Sequence, residues 1–209
     1  MSELSGTKEL IFDVFVELTS TLGYENVSMR DIAKKVGIQA ASIYNHFQTK
    51  AHILEYAYDY YTKHLHDNRQ PISLVKKLIE TEDAQSIVEA INYTFESEDN
   101  KKYVRMILIT KIVYMRLFQD AIANATFAET IKNNTEYVID ILTHGVNIGR
   151  LDPGFDREIF ADVLIGAKVV MGIKAFSDSD YVAHQLEKEL RILALFTQLL
   201  SSALKPKYL

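Results

Sequence analysis

Residues Ser28 to Phe47 read SMRDIAKKVGIQAASIYNHF, and the way this stretch folds decides the architecture. The apolar and small residues divide it into two short helices separated at Gly37. Two short helices that cross steeply need a small residue where they touch, and Ala33 supplies it. They need a turn residue that accepts positive φ, which Gly37 does without a Cβ penalty. They also need an apolar side chain on the second helix to seal the pair, here Ile43. The pattern is that of a helix-turn-helix, whose second helix enters the major groove of DNA.

The flanks support this reading. Ser28-Met29-Arg30-Asp31 forms a capping box in which aspartate replaces the usual Glu or Gln. Upstream, Leu10, Ile11, Val14, Phe15, Leu18 and Leu22 share one face of a helix over residues 8–22, and Gly23 stops it. Glu9, Asp13 and Glu17 are expected on the solvent face of that helix. The second motif helix is expected over 39–46. Thr49 then caps a long helix carrying Ile53, Leu54, Ala57, Tyr61 and Leu65, and Asn68 to Pro71 ends it.

Further helices are expected over 71–80, 83–97, 101–119, 121–149, 156–177 and 181–204, with a sharp turn from Gly149 to Gly154. The chain therefore reads as all-α: a helix-turn-helix domain at 1–50 with its motif at 28–47, a connecting helix at 51–70, and a larger helical domain at 71–209. The last two helices, about 156–204, are unusually apolar and suggest a homodimer interface.

Composition is ordinary for a chain that buries a core: 209 residues, 48% hydrophobic and 24% charged. With no cysteine there is neither a disulfide nor a thiolate metal site. The polar start MSELSGTKEL is unlike a signal peptide, and no stretch approaches the ~18 apolar residues of a membrane span. A cytoplasmic protein is expected. The net charge of −5 is unusual for a DNA binder, but residues 28–50 set Arg30, Lys34, Lys35 and Lys50 against Asp31 alone, a local charge of +3. Such a patch attracts phosphate within a Debye length of ~8–10 Å.

On the second motif helix Ala40, Ile43 and Phe47 face inward, leaving Gln39, Ser42, Asn45 and His46 on the outer face and Tyr44 toward the rim. Gln and Asn side chains pair with adenine, and Ser serves a base or a phosphate. Tyr44 and His46 are candidates for phosphate oxygens. Lys50, in the first turn of the long helix, and Ser28 with Arg30, at the start of the first motif helix, lie where free N–H groups favour an anion.

The first 50 to 65 residues resemble the TetR family of bacterial transcriptional regulators. The resemblance rests on Ile11, Gly23-Tyr24, Val27 through Ala33, Val36-Gly37-Ile38, Ile43 through Phe47, and Lys50 with Ile53-Leu54. The pattern Tyr44-x-x-Phe47 with Lys50 three residues on is its most specific part. Phe15 and Thr19 depart from it, since relatives usually carry a small residue at the first position and Phe at the second; this is a volume exchange within one core. The resemblance implies a homodimer on the two half-sites of a palindrome, with the C-terminal domain binding a small effector that shifts the long helix and spoils the half-site spacing. Repression relieved by effector is the leading expectation. The alternative is a C-terminal domain that docks a protein coregulator.

Aromatic and polar candidates for an effector pocket are Tyr60, Phe95, Tyr103, Tyr114, Phe118, Tyr137, His144 and Phe160. No cofactor is implied. His64 and His66 are two apart and share no helical face, so they make no metal pair. There is no phosphate-binding glycine loop, Gly-x-Ser-x-Gly elbow or HExxH motif, so no catalytic residues are assigned and an enzyme is not expected.

Overall fold

The structure is a computed structural model. It describes residues 6–67, 69–92, 100–177 and 185–205, with backbone alone at 65–67, 100, 103, 185 and 186. Among these residues the secondary structure is helical, with one isolated bridge between Leu151 and Leu204. No described helix is long and apolar enough to cross a membrane.

The helices are α1 (Gly6–Leu22), α2 (Met29–Val36), α3 (Ala40–Ile43), α4 (Lys50–Asp67), α5 (Ile72–Thr81), α6 (Ala84–Ile91), α7 (Asn100–Arg116), α8 (Ala121–Asn147), α9 (Arg157–Ser177) and α10 (Gln185–Ala203). A 3-10 turn, Tyr24–Asn26, joins α1 to α2. The chain forms two compact units, residues 1–67 with 96–128 and residues 68–95 with 129–209. This differs from the expected domain break at residue 71. Helix α7 packs against α1 and α4, so the unit that contains the motif also takes in a segment distant in sequence.

That packing explains a second difference. The expected apolar face of α1 included Leu10 and Leu22, yet both are exposed, while Phe12, Val16, Thr19 and Ser20 are buried with Ile11, Val14 and Phe15. Helix α1 is covered by α2 on one side and α7 on the other, so its buried arc is wide and rotated from the simplest stripe. Phe15 and Thr19 both lie in this core, and the Thr19 hydroxyl is buried with no partner. Glu9 and Asp13, expected in solvent, instead face α7. Lys101 Nζ lies 3.0 Å from Glu9 and 2.9 Å from Asp13; Arg105 donates to Glu9 at 2.7 Å and to Asp13 at 2.6 Å. Glu17 pairs with Lys35 at the surface.

The second unit packs α5, α6, α8, α9 and α10 around Ile79, Ile87, Ile141, Leu142, Leu164 and Phe196. The turn after α8 closes through Gly149, at φ 76°, where a Cβ would strain the backbone. Arg150 follows it and donates to the carbonyls of Ile79, Glu82 and Lys205, tying the end of α5 to the end of α10.

Candidate nucleic-acid interface

The motif is built by local chemistry. Ser28 Oγ accepts from Asp31 N (3.2 Å) and the Asp31 carboxylate accepts from Ser28 N (2.9 Å), so the capping box is complete. The Ser28 hydroxyl also donates to Asp31 Oδ2, and this bond first, then the one from Ser28 N, holds the Asp31 carboxyl below its ordinary value. Gly37 ends α2 at φ 81°, ψ 29°, with its N–H on the Ala33 carbonyl (2.9 Å). The second motif helix is shorter than expected: regular α-helix ends at Ile43, and Tyr44 to His46 continue as tighter turns. His46 N donates to Ile43 O (2.8 Å) and Phe47 N to the same oxygen (2.9 Å). Ile43 and Phe47 are fully buried and fix the outer face.

That face presents Gln39, Tyr44 and Asn45 exposed, and Ser42 and His46 half-buried. Tyr44 is 53% exposed, a large value for an aromatic ring with no core to fill. Arg30 and Ser28 are exposed at the start of α2, although the Ser28 hydroxyl is already engaged in the cap. Thr49 caps α4 by accepting from His52 N (3.0 Å).

Lys50 stands differently from the other candidates. Its ammonium donates to the carbonyls of Tyr24 (2.8 Å) and Val27 (2.9 Å) and lies 4.0 Å from the Tyr24 ring centroid. Two of its three N–H groups thus hold the α1–α2 connection to the start of α4. Residues the sequence reading passed over join this clamp. Arg116 covers the Tyr24 ring at 4.4 Å and pairs with Asp120. Lys8 Nζ lies over the rings of Phe47 (5.3 Å) and Tyr56 (5.1 Å), fastening the start of α1 to the end of the motif. Their only sequence signal was a cation near aromatic residues, which does not say which ring it will meet.

Arg105 is the buried cation of this unit, 5% exposed. Burial alone would lower its pKa; bonds to Asp13, Glu9 and Tyr60 outweigh that and hold it above its ordinary value. Helix α7 therefore holds α1 and the α1–α2 connection through charge-assisted bonds.

The effector candidates divide between the two units. Tyr60 is buried in the first, its hydroxyl accepting from Arg105 (3.3 Å) and its ring on Phe12. Tyr114 packs edge-on against Phe127 in the same unit. Phe118, expected in a pocket wall, is 93% exposed at φ 68° on the turn after α7, because the helix ends at Arg116. In the second unit Tyr137 donates to Gln70 O (2.9 Å), and Phe160 is core, between Phe155 and Phe196. His144, expected in the pocket, reaches the half-exposed Glu80 at 2.9 Å instead. Phe95 and the Tyr103 side chain lie outside the described residues. No group of three metal-ligating side chains occurs among the described residues.

On α9 and α10 a second surface is prominent. Ile159, Val163, Val170, Ile173, Leu190 and Leu195 are all exposed, and a groove of about 620 Å³ runs between the two helices.

Residues 11–57 match the family model of bacterial regulatory proteins, tetR family. The comparison with curated proteins found no match. Among solved structures, one described as a TetR-family transcriptional regulator from Mesorhizobium loti is 16% identical, with a TM-score of 0.65 over 95% of this chain and 97% of that one. The ketosteroid transcriptional regulator KstR2 of Mycobacterium tuberculosis is 16% identical, with a TM-score of 0.58 over 98% of each chain. A transcriptional regulator from Saccharomonospora viridis in complex with choline is 17% identical, with a TM-score of 0.56 over 88% and 95%. At these identities the likeness is one of fold.

Proposed function

We propose, from the TetR-family DNA-binding domain at residues 11–57, that the chain is a homodimeric transcriptional repressor released from a palindromic operator by a small-molecule effector. The observation that carries this reading is the polar outer face of the motif, supported from behind by a buried Ile43 and Phe47. Gln39, Ser42 and Asn45 are the base-reading side chains; Arg30, Tyr44 and His46 meet the backbone, while Ser28, both of whose donors go to Asp31, contributes by holding the start of α2. Lys50 contributes chiefly by setting the geometry of the motif, with one N–H left for phosphate.

The exposed apolar face of α9 and α10 supports dimerisation, since a surface of this kind is costly to leave in water. In this reading residues 1–50 bind DNA, 51–70 connect, and 71–209 dimerise and take the effector. The fold neighbour that holds choline supports a small ligand as the effector class. Effector binding shifts α4, the two motifs lose their spacing, and operator and effector weaken each other equally. The protein binds rather than catalyses, and works in the cytoplasm.

Footprinting on DNA upstream of the gene tests the reading. Two protected half-sites ~34 Å apart, or a multiple of that, are expected. A single protected site, or uniform protection, contradicts a dimer on a palindrome. Release of the DNA only by a second protein would favour the coregulator alternative.

A further inference from the structure

Arg116, the last residue of α7, and Asp120, just ahead of α8, meet the DNA-binding helices at the connection between α1 and α2. The Arg116 guanidinium lies 4.4 Å from the Tyr24 ring centroid, and its Nη1 is 3.4 Å from the Glu25 carboxylate. Its Nε donates to Asp120 Oδ2 (3.0 Å), and Nη2 lies 3.0 Å from the same oxygen. That oxygen also accepts from the Tyr58 hydroxyl of α4 (3.3 Å). Asp120 Oδ1 accepts from Ile122 N (2.8 Å) and Ala123 N (3.2 Å) in the first turn of α8. One carboxylate therefore gathers α4, α7 and α8, and one guanidinium carries that junction to Tyr24. Burial alone would raise the Asp120 pKa; the Ala123 N–H and Arg116 outweigh it and hold the carboxyl below its ordinary value.

Tyr24 has a second cation. Lys50 Nζ lies 4.0 Å from the same ring centroid and donates to the carbonyls of Tyr24 and Val27. Two like charges this close repel, so they share one ring only with a counter-charge fixed beside them. Asp120 supplies it: its side chain is 14% exposed and that of Arg116 15%, so the pair is little screened. Glu25, at 79%, contributes little. Val27 leads directly into Ser28 and the capping box, so whatever holds Tyr24 and Val27 fixes where α2 begins against the start of α4. The turn that brings Asp120 back onto Arg116 is strained. Phe118 holds φ 68°, a left-handed conformation that bulky residues seldom adopt, and its ring, 93% exposed, gains no packing from it. Gln119 N and Asp120 N both close on Arg116 O (3.0 and 3.1 Å), and Phe118 N donates to Asn124 Oδ1 (2.8 Å). Strain kept without local packing points to a role for the geometry it secures.

We propose that Arg116 and Asp120 are positioning residues for DNA binding: without touching DNA, they act through Tyr24 and Lys50 to hold the motif at the angle that reads the major groove. The proposal rests on the DNA-binding reading above and extends its determinants to the turn between α7 and α8.

The test uses the full chain and fluorescence anisotropy on the upstream fragment that wild type binds. Wild type is compared with Arg116→Gln, Arg116→Lys, Asp120→Asn, Tyr24→Leu and Arg116→Gln/Tyr24→Leu. Stoichiometric titration first gives the active fraction of each protein, so the affinity read is that of folded molecules. Arg116→Gln and Asp120→Asn should each weaken binding at least tenfold at an unchanged salt slope, because no phosphate contact is lost. Arg116→Lys, which keeps a cation for the ring, should bind more tightly than Arg116→Gln. In the Tyr24→Leu background Arg116→Gln should add less than threefold, since its route to the motif has gone. Affinity within threefold of wild type at both positions, a loss explained by active fraction alone, or full additivity in the double variant overturns the proposal. A salt slope lowered by ~1 also overturns it, because Arg116 would then be a phosphate ligand. Wild type that binds the fragment while the variants bind alike loses only the positioning role, whereas wild type that binds no fragment saturably loses the DNA-binding reading beneath it.

Discussion

Replacing Arg105 with methionine tests how α7 holds the DNA-binding helices. Methionine keeps an apolar stem beside Phe12 and Tyr60 but removes every N–H. Breaking a buried ion pair costs ~3–5 kcal/mol when the partner charge stays buried. Glu9 and Asp13 are 28% and 23% exposed and keep Lys101, so a cost at or just below the bottom of that range, ~2–3 kcal/mol, applies. The Tyr60 hydroxyl also loses its Arg105 donor, adding ~1 kcal/mol. A total of ~3–4 kcal/mol raises the open population of α1 and α7 by two to three powers of ten. Because the chain has two compact units, a global melt would blend them, and native-state hydrogen exchange at α1 and α7 amides is the better assay.

The same cluster predicts a pH effect. Arg105 first, then Lys101, holds the Glu9 carboxyl below its ordinary 4.5. Its contribution is full above that value and is lost as pH falls through the lowered folded pKa. Glu9→Gln/Asp13→Asn in the Arg105→Met background should recover part of the loss, since the stranded charges are gone. Exchange protection that falls by less than ~1 kcal/mol in Arg105→Met, or no coupling with the carboxylates, would refute the clamp.

Three further outcomes follow from particular contacts. Lys50→Met should destabilise the first unit by ~1–3 kcal/mol, read by exchange at α2 amides, while Arg30→Ala should leave stability intact and lower the salt slope of DNA binding by ~1. Gly145→Ala would put a Cβ 2.5 Å from Ile79 Cδ1 and 2.9 Å from Leu151 Cδ1, both side chains fully buried, so hydrogen exchange at α5 and α8 amides should show a loss of ~1–3 kcal/mol. The folded pKa of Lys168, about 8, lies below its ordinary 10.5, so the unfolded chain binds the extra proton between those values. Stability should therefore rise with pH across that window, and urea titrations should show the rise absent from Lys168→Met.

What could be read from the sequence was local. Ser28, Asp31, Gly37, Ile43 and Thr49 act within a few residues of themselves, and each takes the role its spacing implies. What could not be read depends on partners far along the chain. Phe12 is buried and Leu10 exposed because α7, some ninety residues later, lies against α1. Lys50 looked like a phosphate ligand from its place at a helix start; the two carbonyls it meets belong to a connection whose path no periodicity discloses. His144 is a pocket candidate by sequence, and only the fold shows Glu80 opposite it.

The central claim is that the outer face of Gln39 to His46 reads DNA. Fluorescence anisotropy of labelled fragments upstream of the gene, titrated with wild type, Tyr44→Ala and Gln39→Ala/Asn45→Ala, tests it most directly. All three proteins should fold alike, because the altered side chains are exposed. Wild type should bind one fragment saturably, with Kd ~10⁻⁸–10⁻¹¹ M at physiological salt. Tyr44→Ala should weaken every fragment, and the double variant should lose discrimination between the operator and unrelated DNA. Wild-type binding no tighter than the ~10⁻⁴–10⁻⁶ M of non-specific association on every fragment, or variants that bind as wild type does, would contradict the account.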